Sequence, residues 1–412
     1  MSGPPPTQPI RLAVLATHTI QYQVPVWRAL AARSDLRVQV FFGSDLGTRS
    51  YHDGGFGREI KWDIPTTEGY PHAFLSRNPA LQTVTPWRPG ARGLVRKLRE
   101  FCPDAVLLNA YGARFWVEAL LAARLLRLPV VLRHEASDVA VSRSPAKSLV
   151  RDMILRIFYA QITAFAAIGL RAREHLLRLG VPAAAITSAP YNVDSDFFEA
   201  EAARWLPQRE ALRAGLGIAP HDVAFVFSGK MIPKKDPELV LAAIRRLPET
   251  VQRRIHWLAL GDGELRGSLS EQARALCGSR ASFPGFVNQR DLGRWYAAAD
   301  CLILPSRAGH GETWGLVVNE AFHFGLPAIV SDGVGCQPDL VPDDRTGRIF
   351  PSANVDSLAT AIRDMAGELP AARTRYTEAV KNQISQFTTA RAADGIVAAA
   401  TLATGTSKIR TS

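Results

Sequence analysis

Two carboxylates, Glu312 and Glu320, stand eight residues apart within SRAGHGETWGLVVNEAFHFGLPAIVSD, residues 306–332. The preceding DCLILP, 300–305, reads as a buried strand, and GLVVNEAFHF reads as an amphipathic helix starting near Gly315. Glu312 then falls in the strand-to-helix loop, and Glu320 about one and a half turns into the helix. A helix opening after a buried strand presents unpaired backbone N–H groups and the positive end of its dipole, which suits a diphosphate. Carboxylates flanking that site can accept hydrogen bonds from the hydroxyls of a ribose or a hexose. Read this way the segment suggests a sugar-nucleotide site, although two glutamates at this spacing arise by chance in most proteins and the spacing alone means little.

The elements that would position these groups follow from hydrophobic patterning. Strands are predicted near 11–17, 37–42, 104–108, 129–133, 163–168 and 185–188, with helices near 22–33, 90–100, 113–127, 145–160 and 170–179. The second half gives strands near 222–228, 255–260, 281–284, 300–304, 327–331 and 347–350 with helices between them. Such alternation predicts an α/β protein with two parallel sheets, each covered on both faces. A chain of 412 residues with 47% hydrophobic content exceeds what one core usually holds, which agrees with two domains. Residues 43–61, GSDLGTRSYHDGGFGREIK, are glycine-rich and poorly periodic and read as a mobile loop rather than a core element. Cys102, Cys277, Cys301 and Cys336 show no C-x-x-C spacing, which suggests a reducing cytosol and no structural zinc. The Pro-rich start lacks a signal-peptide pattern, and no uncharged apolar run approaches the roughly 18 residues of a membrane span. No G-x-G-x-x-G follows the first strand, which argues against a dinucleotide oxidoreductase.

The glutamate segment resembles the E-x7-E signature of retaining glycosyltransferases of family 4, which have the GT-B fold. PS before it, GLPAIVSD after it and the continuation VGCQPDLVPDDRTGRIF all agree with that pattern. SGKMIPKKDPELVLAAI at 228–244 is similar to the family's G-R-L-x-x-x-K-G segment, with Lys230 in the Arg position and Lys235 in the Lys position. FPGFVNQRDLGRWYAAAD is similar to the stretch whose backbone, around Val287, meets the nucleobase. The resemblance implies Lys230 and Lys235 on the donor diphosphate, Glu320 on the ribose and Glu312 on the sugar hydroxyls. Thr313, Trp314, Gly315 and Leu316 would supply backbone N–H groups. Fixed cations there lower the barrier, because breaking the sugar–phosphate bond builds negative charge on the leaving oxygen. His134, ending the strand in VVLRHEASD, matches a histidine near the donor hexose and joins Lys235 and Glu312 as a candidate catalytic residue. The implied domains are an acceptor-binding unit at 10–190 after a disordered lead at 1–9, and a nucleotide-sugar unit at 191–385. A helix and tail at 386–412 would cross back to the first unit. No metal and no cofactor beyond the donor substrate is expected.

Charge bears on the partner. Residues 1–195 hold 24 Lys and Arg against 14 Asp and Glu, and the remainder 25 against 24, so nearly all of the net +11 lies on the presumed acceptor half. Arg88, Arg92, Arg96, Lys97 and Arg99 cluster near one predicted helix, and Arg143, Lys147 and Arg151 recur every four residues before an apolar run. Such helices can dock on an anionic membrane at about 1 kcal/mol per basic residue near the surface. No nucleic-acid recognition motif accompanies the charge. The expectation is a cytoplasmic glycosyltransferase, able to dock peripherally at the inner face of the membrane, that acts on a glycan or lipid-linked acceptor. The alternatives are another enzyme of the same architecture, such as a sugar-nucleotide epimerase, or a non-catalytic sugar-nucleotide-binding protein.

Overall fold

The computed structural model describes residues 8–410, with side chains up to Gly405. Most of the proposed lead at 1–9 therefore lies outside the described residues. The first half contains strands β1 (Ile10–Ala16), β2 (Leu36–Phe42), β3 (Tyr51–Asp53), β4 (Arg58–Ile60), β5 (His72–Phe74), β6 (Ala105–Leu108), β7 (Val130–His134), β8 (Ala164–Ala167) and β9 (Ile186–Ser188). Seven of them form one sheet in the order β5-β2-β1-β6-β7-β8-β9, while β3 and β4 pair as a separate antiparallel hairpin. The second half contains β10 (Val223–Ser228), β11 (Ile255–Leu260), β12 (Ala281–Gly285), β13 (Cys301–Leu304), β14 (Ala328–Ser331) and β15 (Gly347–Phe350). These make a six-stranded sheet, β12-β11-β10-β13-β14-β15. Every pairing in the two large sheets is parallel, with Val14 opposite Leu107 and Phe225 opposite Cys301 at the centres.

The central strands form because they are continuous apolar runs: VAFVFS in β10 and CLIL in β13 are buried throughout, as strands covered on both faces must be. Each strand read from the sequence is present. β3, β4 and β5 were not foreseen, being three residues long and largely half-exposed, too short to show a period. The helix carrying Glu320 runs Val317–His323, beginning two residues past the expected start near Gly315. Gly315 sits at φ +109°, a conformation side-chain-bearing residues rarely adopt, so the chain is still turning there.

Each sheet reverses its winding direction once, between β1 and β6 in the first and between β10 and β13 in the second. A crevice opens at the carboxyl end of the strands at such points, where open α/β sheets collect ligands. Apolar side chains run continuously from one half to the other through Tyr191, Trp314 and Phe387. The last helix, Thr389–Arg410, returns to the first sheet and sets Ala392, Ile396, Ala399 and Ala403 into the core formed by β1, β2 and β6–β8.

Candidate active site

The crevice of the second sheet gathers charge in little space. β10 ends at Ser228, and Gly229 and Lys230 follow; a short helical turn, Pro233–Lys235, brings Lys235 beside the loop that leaves β13. Lys235 Nζ lies 2.5 Å from Glu312 Oε2, with the side chains only 16% and 9% exposed. The Ser306 hydroxyl donates to the same carboxylate oxygen at 3.0 Å. Burial pushes this carboxyl up, but Lys235, Lys234 and Ser306 outweigh it and hold Glu312 below its ordinary range. Lys234 donates to the Gly311 carbonyl at 2.8 Å and so ties down the Glu312 loop.

Glu320 has the opposite setting. Burial raises its carboxyl to about 7, while a hydrogen bond from Tyr296 and the charge of Lys235 pull the other way. The Tyr296 hydroxyl donates to Glu320 Oε2 at 2.7 Å. Sequence reasoning passed over Tyr296, which there looks like one more apolar-face residue of the helix Gln289–Ala298. Glu320 lines a cavity of about 170 Å³ together with Gly229, Gly261, Phe286, Val287 and Val317. Val287 thus borders the same space as Glu320. Between the two glutamates, the backbone amides of Thr313, Trp314, Gly315 and Leu316 donate no hydrogen bond among the described residues. The Trp314 side chain is buried, its indole N–H bonded to Asn319 Oδ1 at 2.8 Å.

Two candidate residues sit differently from the expectation. Lys230 is engaged from the other half of the molecule: its ammonium lies 2.7 and 3.0 Å from the two carboxylate oxygens of Asp53, in the β3–β4 hairpin. His134 is fully buried beneath the helix Pro145–Tyr159, where Nε2 meets the Tyr159 hydroxyl at 2.7 Å. That hydroxyl also contacts His175, whose other ring nitrogen is 2.7 Å from Asp138. Burial lowers the His134 ring to about 3, so it stays neutral. Strand alternation is the reason. Val130, Leu132 and His134 point to the face covered by the helix Pro145–Tyr159, while Arg133 and Glu135 turn the other way, toward Tyr22 and Tyr191 at the junction of the two halves. His134 therefore does not join the Lys235–Glu312 group.

The loop after β7 contacts the glutamate loop directly. Ser142 donates its amide to Gly309 at 3.1 Å, Gly309 donates to Val139 at 3.1 Å, and the Gly311 amide donates to Ala140. The Glu312 loop is thereby fixed from both halves.

Residues 208–383 match the family model described as glycosyl transferases group 1, which spans this second sheet and its site. Sulfoquinovosyl transferase SQD2 of Arabidopsis thaliana is 29% identical over 283 residues, 66% of this chain and 51% of its own length. A D-inositol 3-phosphate glycosyltransferase of Xylanimonas cellulosilytica is 32% identical over 201 residues, 46% of each chain. The chain spans about half the length of these curated relatives. In fold, it is similar to Anabaena HepE crystallised with UDP, at TM-score 0.69 and 16% identity over 94% of this chain and 98% of that one. WaaG, a glycosyltransferase involved in lipopolysaccharide biosynthesis, matches at TM-score 0.60 and 16% identity over 93% and 98%. The two parallel-sheet domains thus have the GT-B fold of these neighbours. The match over residues 208–383 contains the glutamate and lysine segments, and the resemblance read from them is borne out.

Proposed function

We propose that the protein transfers a hexosyl group, with retention, from a nucleoside diphosphate sugar to a hydroxyl of a glycan or lipid-linked acceptor. One observation carries the reading: the buried Lys235–Glu312 pair near a cavity lined by Glu320, at the crevice of the second sheet. In this scheme the bond between the anomeric carbon and the phosphate oxygen breaks while the acceptor oxygen attacks from the same face. The acceptor proton passes to the departing phosphate, so no protein nucleophile is needed. Lys235 and Lys230 stabilise the charge that grows on the leaving diphosphate. Glu312 meets the hexose hydroxyls and Glu320 the ribose. A panel of nucleoside diphosphate sugars, screened first by thermal shift, identifies the donor. Free nucleoside diphosphate should then appear only when an acceptor is added. Epimerised sugar nucleotide as the product would favour the alternative enzyme class and sink this one.

A lipid-linked acceptor at an anionic membrane is favoured by a second observation. The helix Pro145–Tyr159 buries only Leu155 and Tyr159, and exposes Leu149, Val150, Met153, Ile154 and Ile157, with Leu149 73% accessible. Leu121 and Leu125 of the helix Arg114–Leu125 are exposed as well, and Arg124 of that helix donates to Gln161, two residues past the end of Pro145–Tyr159. A patch of this kind is uncommon on a soluble surface. Basic residues, among them Arg143, Lys147 and Arg156, accompany it, suiting an anionic lipid surface. Arg151 is not available for that role, since it turns inward to Asp152 and Asp138 at 3.3 and 3.7 Å. The helix begins three residues after Ser142, so an acceptor held at this face would lie near the Glu312 loop. Among relatives, a Mycolicibacterium smegmatis protein named as a phosphatidylinositol monomannoside mannosyltransferase is 31% identical over 45% of this chain. No helix among the described residues is long and apolar enough to cross a membrane.

A further inference from the structure

The β3–β4 hairpin belongs to the first half, yet its tip rests on the second. Phe56 meets Phe286 edge-on at 5.0 Å, and Trp62, just past the hairpin, also meets Phe286 edge-on at 6.1 Å. Lys61 accepts a hydrogen bond from Asn288 Nδ2 at 2.9 Å, and Asp63 accepts one from the Arg290 amide at 3.1 Å. Arg58 lies 3.5 Å from Asp262. Phe56 and Trp62 are walls of the same cavity that Glu320 and Val287 line, so the proposed donor pocket is built from both halves of the chain. At its phosphate end, Asp53 occupies Lys230, and the ammonium also lies 5.0 Å from the Phe56 ring.

We propose that this hairpin is a two-part donor clamp: Phe56 and Trp62 grip the nucleobase against Phe286, and Asp53 is a stand-in anion that the donor diphosphate displaces from Lys230. The inference rests on the donor reading given above. Three physical points support it. An aromatic cage offers stacking and edge contacts to a planar base, and each such base–aromatic contact is worth a severalfold to hundredfold gain in affinity. The Asp53–Lys230 pair is partly open to solvent, at 18% and 34% exposure, so its net worth is small and a doubly charged diphosphate can outcompete it. Asp53 does not depend on Lys230 for its place, because its Oδ1 also accepts the amides of Gly55 and Phe56 at 2.8 and 3.1 Å. Losing the lysine therefore leaves the hairpin turn intact and its aromatic residues in position.

The exchange has a measurable signature, because the two parts of the clamp respond to different parts of the ligand. Binding of UDP, GDP and ADP, and of uridine, guanosine and adenosine, is measured by calorimetry on the full chain and its variants. Asp53→Asn frees Lys230 and should tighten the preferred nucleoside diphosphate about five- to tenfold, while the matching nucleoside, which lacks phosphates, binds as before. Lys230→Met should weaken the diphosphate, and in that background Asp53→Asn should have no further effect. Trp62→Ala and Phe56→Ala should weaken nucleoside and diphosphate together, by about tenfold or more. If Asp53→Asn leaves diphosphate affinity unchanged or lowers it, the stand-in role is overturned. If the aromatic variants bind the nucleoside normally, the clamp is overturned. A wild-type protein that binds none of the six ligands would refute the donor reading itself, a different failure from either of these.

Discussion

Replacing Lys235 by Met removes the cation from a pair in which Glu312 keeps only 9% of its side chain accessible. Taking one partner out of a buried ion pair costs about 3–5 kcal/mol, because the other charge stays behind without compensation. Lys234 and the Ser306 hydroxyl remain close to Glu312, which favours the lower end, about 3 kcal/mol. For a domain of this size that corresponds to a melting temperature lower by about 6–12 °C. The loss should depend on pH with a definite sign. In the wild type, the depressed Glu312 carboxyl contributes stability that is present above its unfolded value and lost as pH falls through the folded one. Without Lys235, burial raises the same carboxyl, so the variant is penalised most at neutral pH and the gap narrows toward pH 4–5. Turnover should fall by about two to three orders of magnitude, the usual effect of removing one contact to transition-state charge. Adding Glu312→Gln to Lys235→Met removes the stranded charge. Scanning calorimetry should then recover most of the lost stability, while sugar-transfer assays stay low. The reasoning is refuted if Lys235→Met melts within about 2 °C of wild type, or if the double variant regains activity along with stability.

The raised Glu320 carboxyl gives a second test: if ribose hydroxyls donate to its ionised form, nucleotide binding releases a proton near pH 7 and strengthens as pH rises from 6 to 8. Calorimetry in buffers of different ionisation enthalpy detects that proton, and Glu320→Gln should abolish it. Tyr296→Phe removes the hydrogen bond that lowers this carboxyl, so the rise in affinity should move to higher pH at a stability cost of about 1 kcal/mol. With bare nucleoside diphosphate, Glu312→Gln should bind nearly as tightly as wild type while Glu320→Gln binds weakly; equal losses would overturn the division of roles. Combined Leu149→Ser, Met153→Ser and Ile157→Ser should prevent sedimentation with phosphatidylglycerol vesicles yet leave donor affinity unchanged. Wild-type protein that ignores such vesicles at low salt would remove the membrane reading and point to soluble acceptors.

Much of the architecture was legible because the chain marks it locally. Continuous apolar runs such as VAFVFS and CLIL become central strands of parallel sheets whatever surrounds them, and the glutamate and lysine segments lie beside those strands. What escaped was decided by contacts between distant residues. The hairpin at 51–60 has no periodicity to read, and its rings and Asp53 find their partners more than 170 residues along the chain. One signal was available: glycines flanked by Tyr51, Phe56 and Trp62 form an aromatic-rich loop, more than a flexible linker needs. His134 shows a different limit. Its position at a strand end was right, but a one-residue alternation decides which face a side chain takes, and only the packing of Tyr159 settles it. Tyr296 was hidden because a tyrosine on an apolar helix face looks the same whether or not its hydroxyl holds a carboxylate.

The helix at 389–410 also governs how the protein comes to exist. Its alanine-rich face completes the core of the first sheet, and Gly395 crosses β9 so closely that a Cβ there would lie 1.9 Å from the Ser188 carbonyl oxygen. The Thr187 hydroxyl donates to Gly395 at 2.8 Å, and Asn192 reaches Thr389 at 2.9 Å, so the outgoing and returning strands of chain are bonded side by side. During synthesis, residues up to 188 leave the ribosome long before this helix is made, and until then a slot lined by Leu12, Val131 and Ala164 stays open to water. The first unit is thus the last to be finished, although it is the first to be translated. A fragment cut near residue 190 would inherit the same open slot, so expressing the two halves separately calls for carrying the 389–405 segment along with the first.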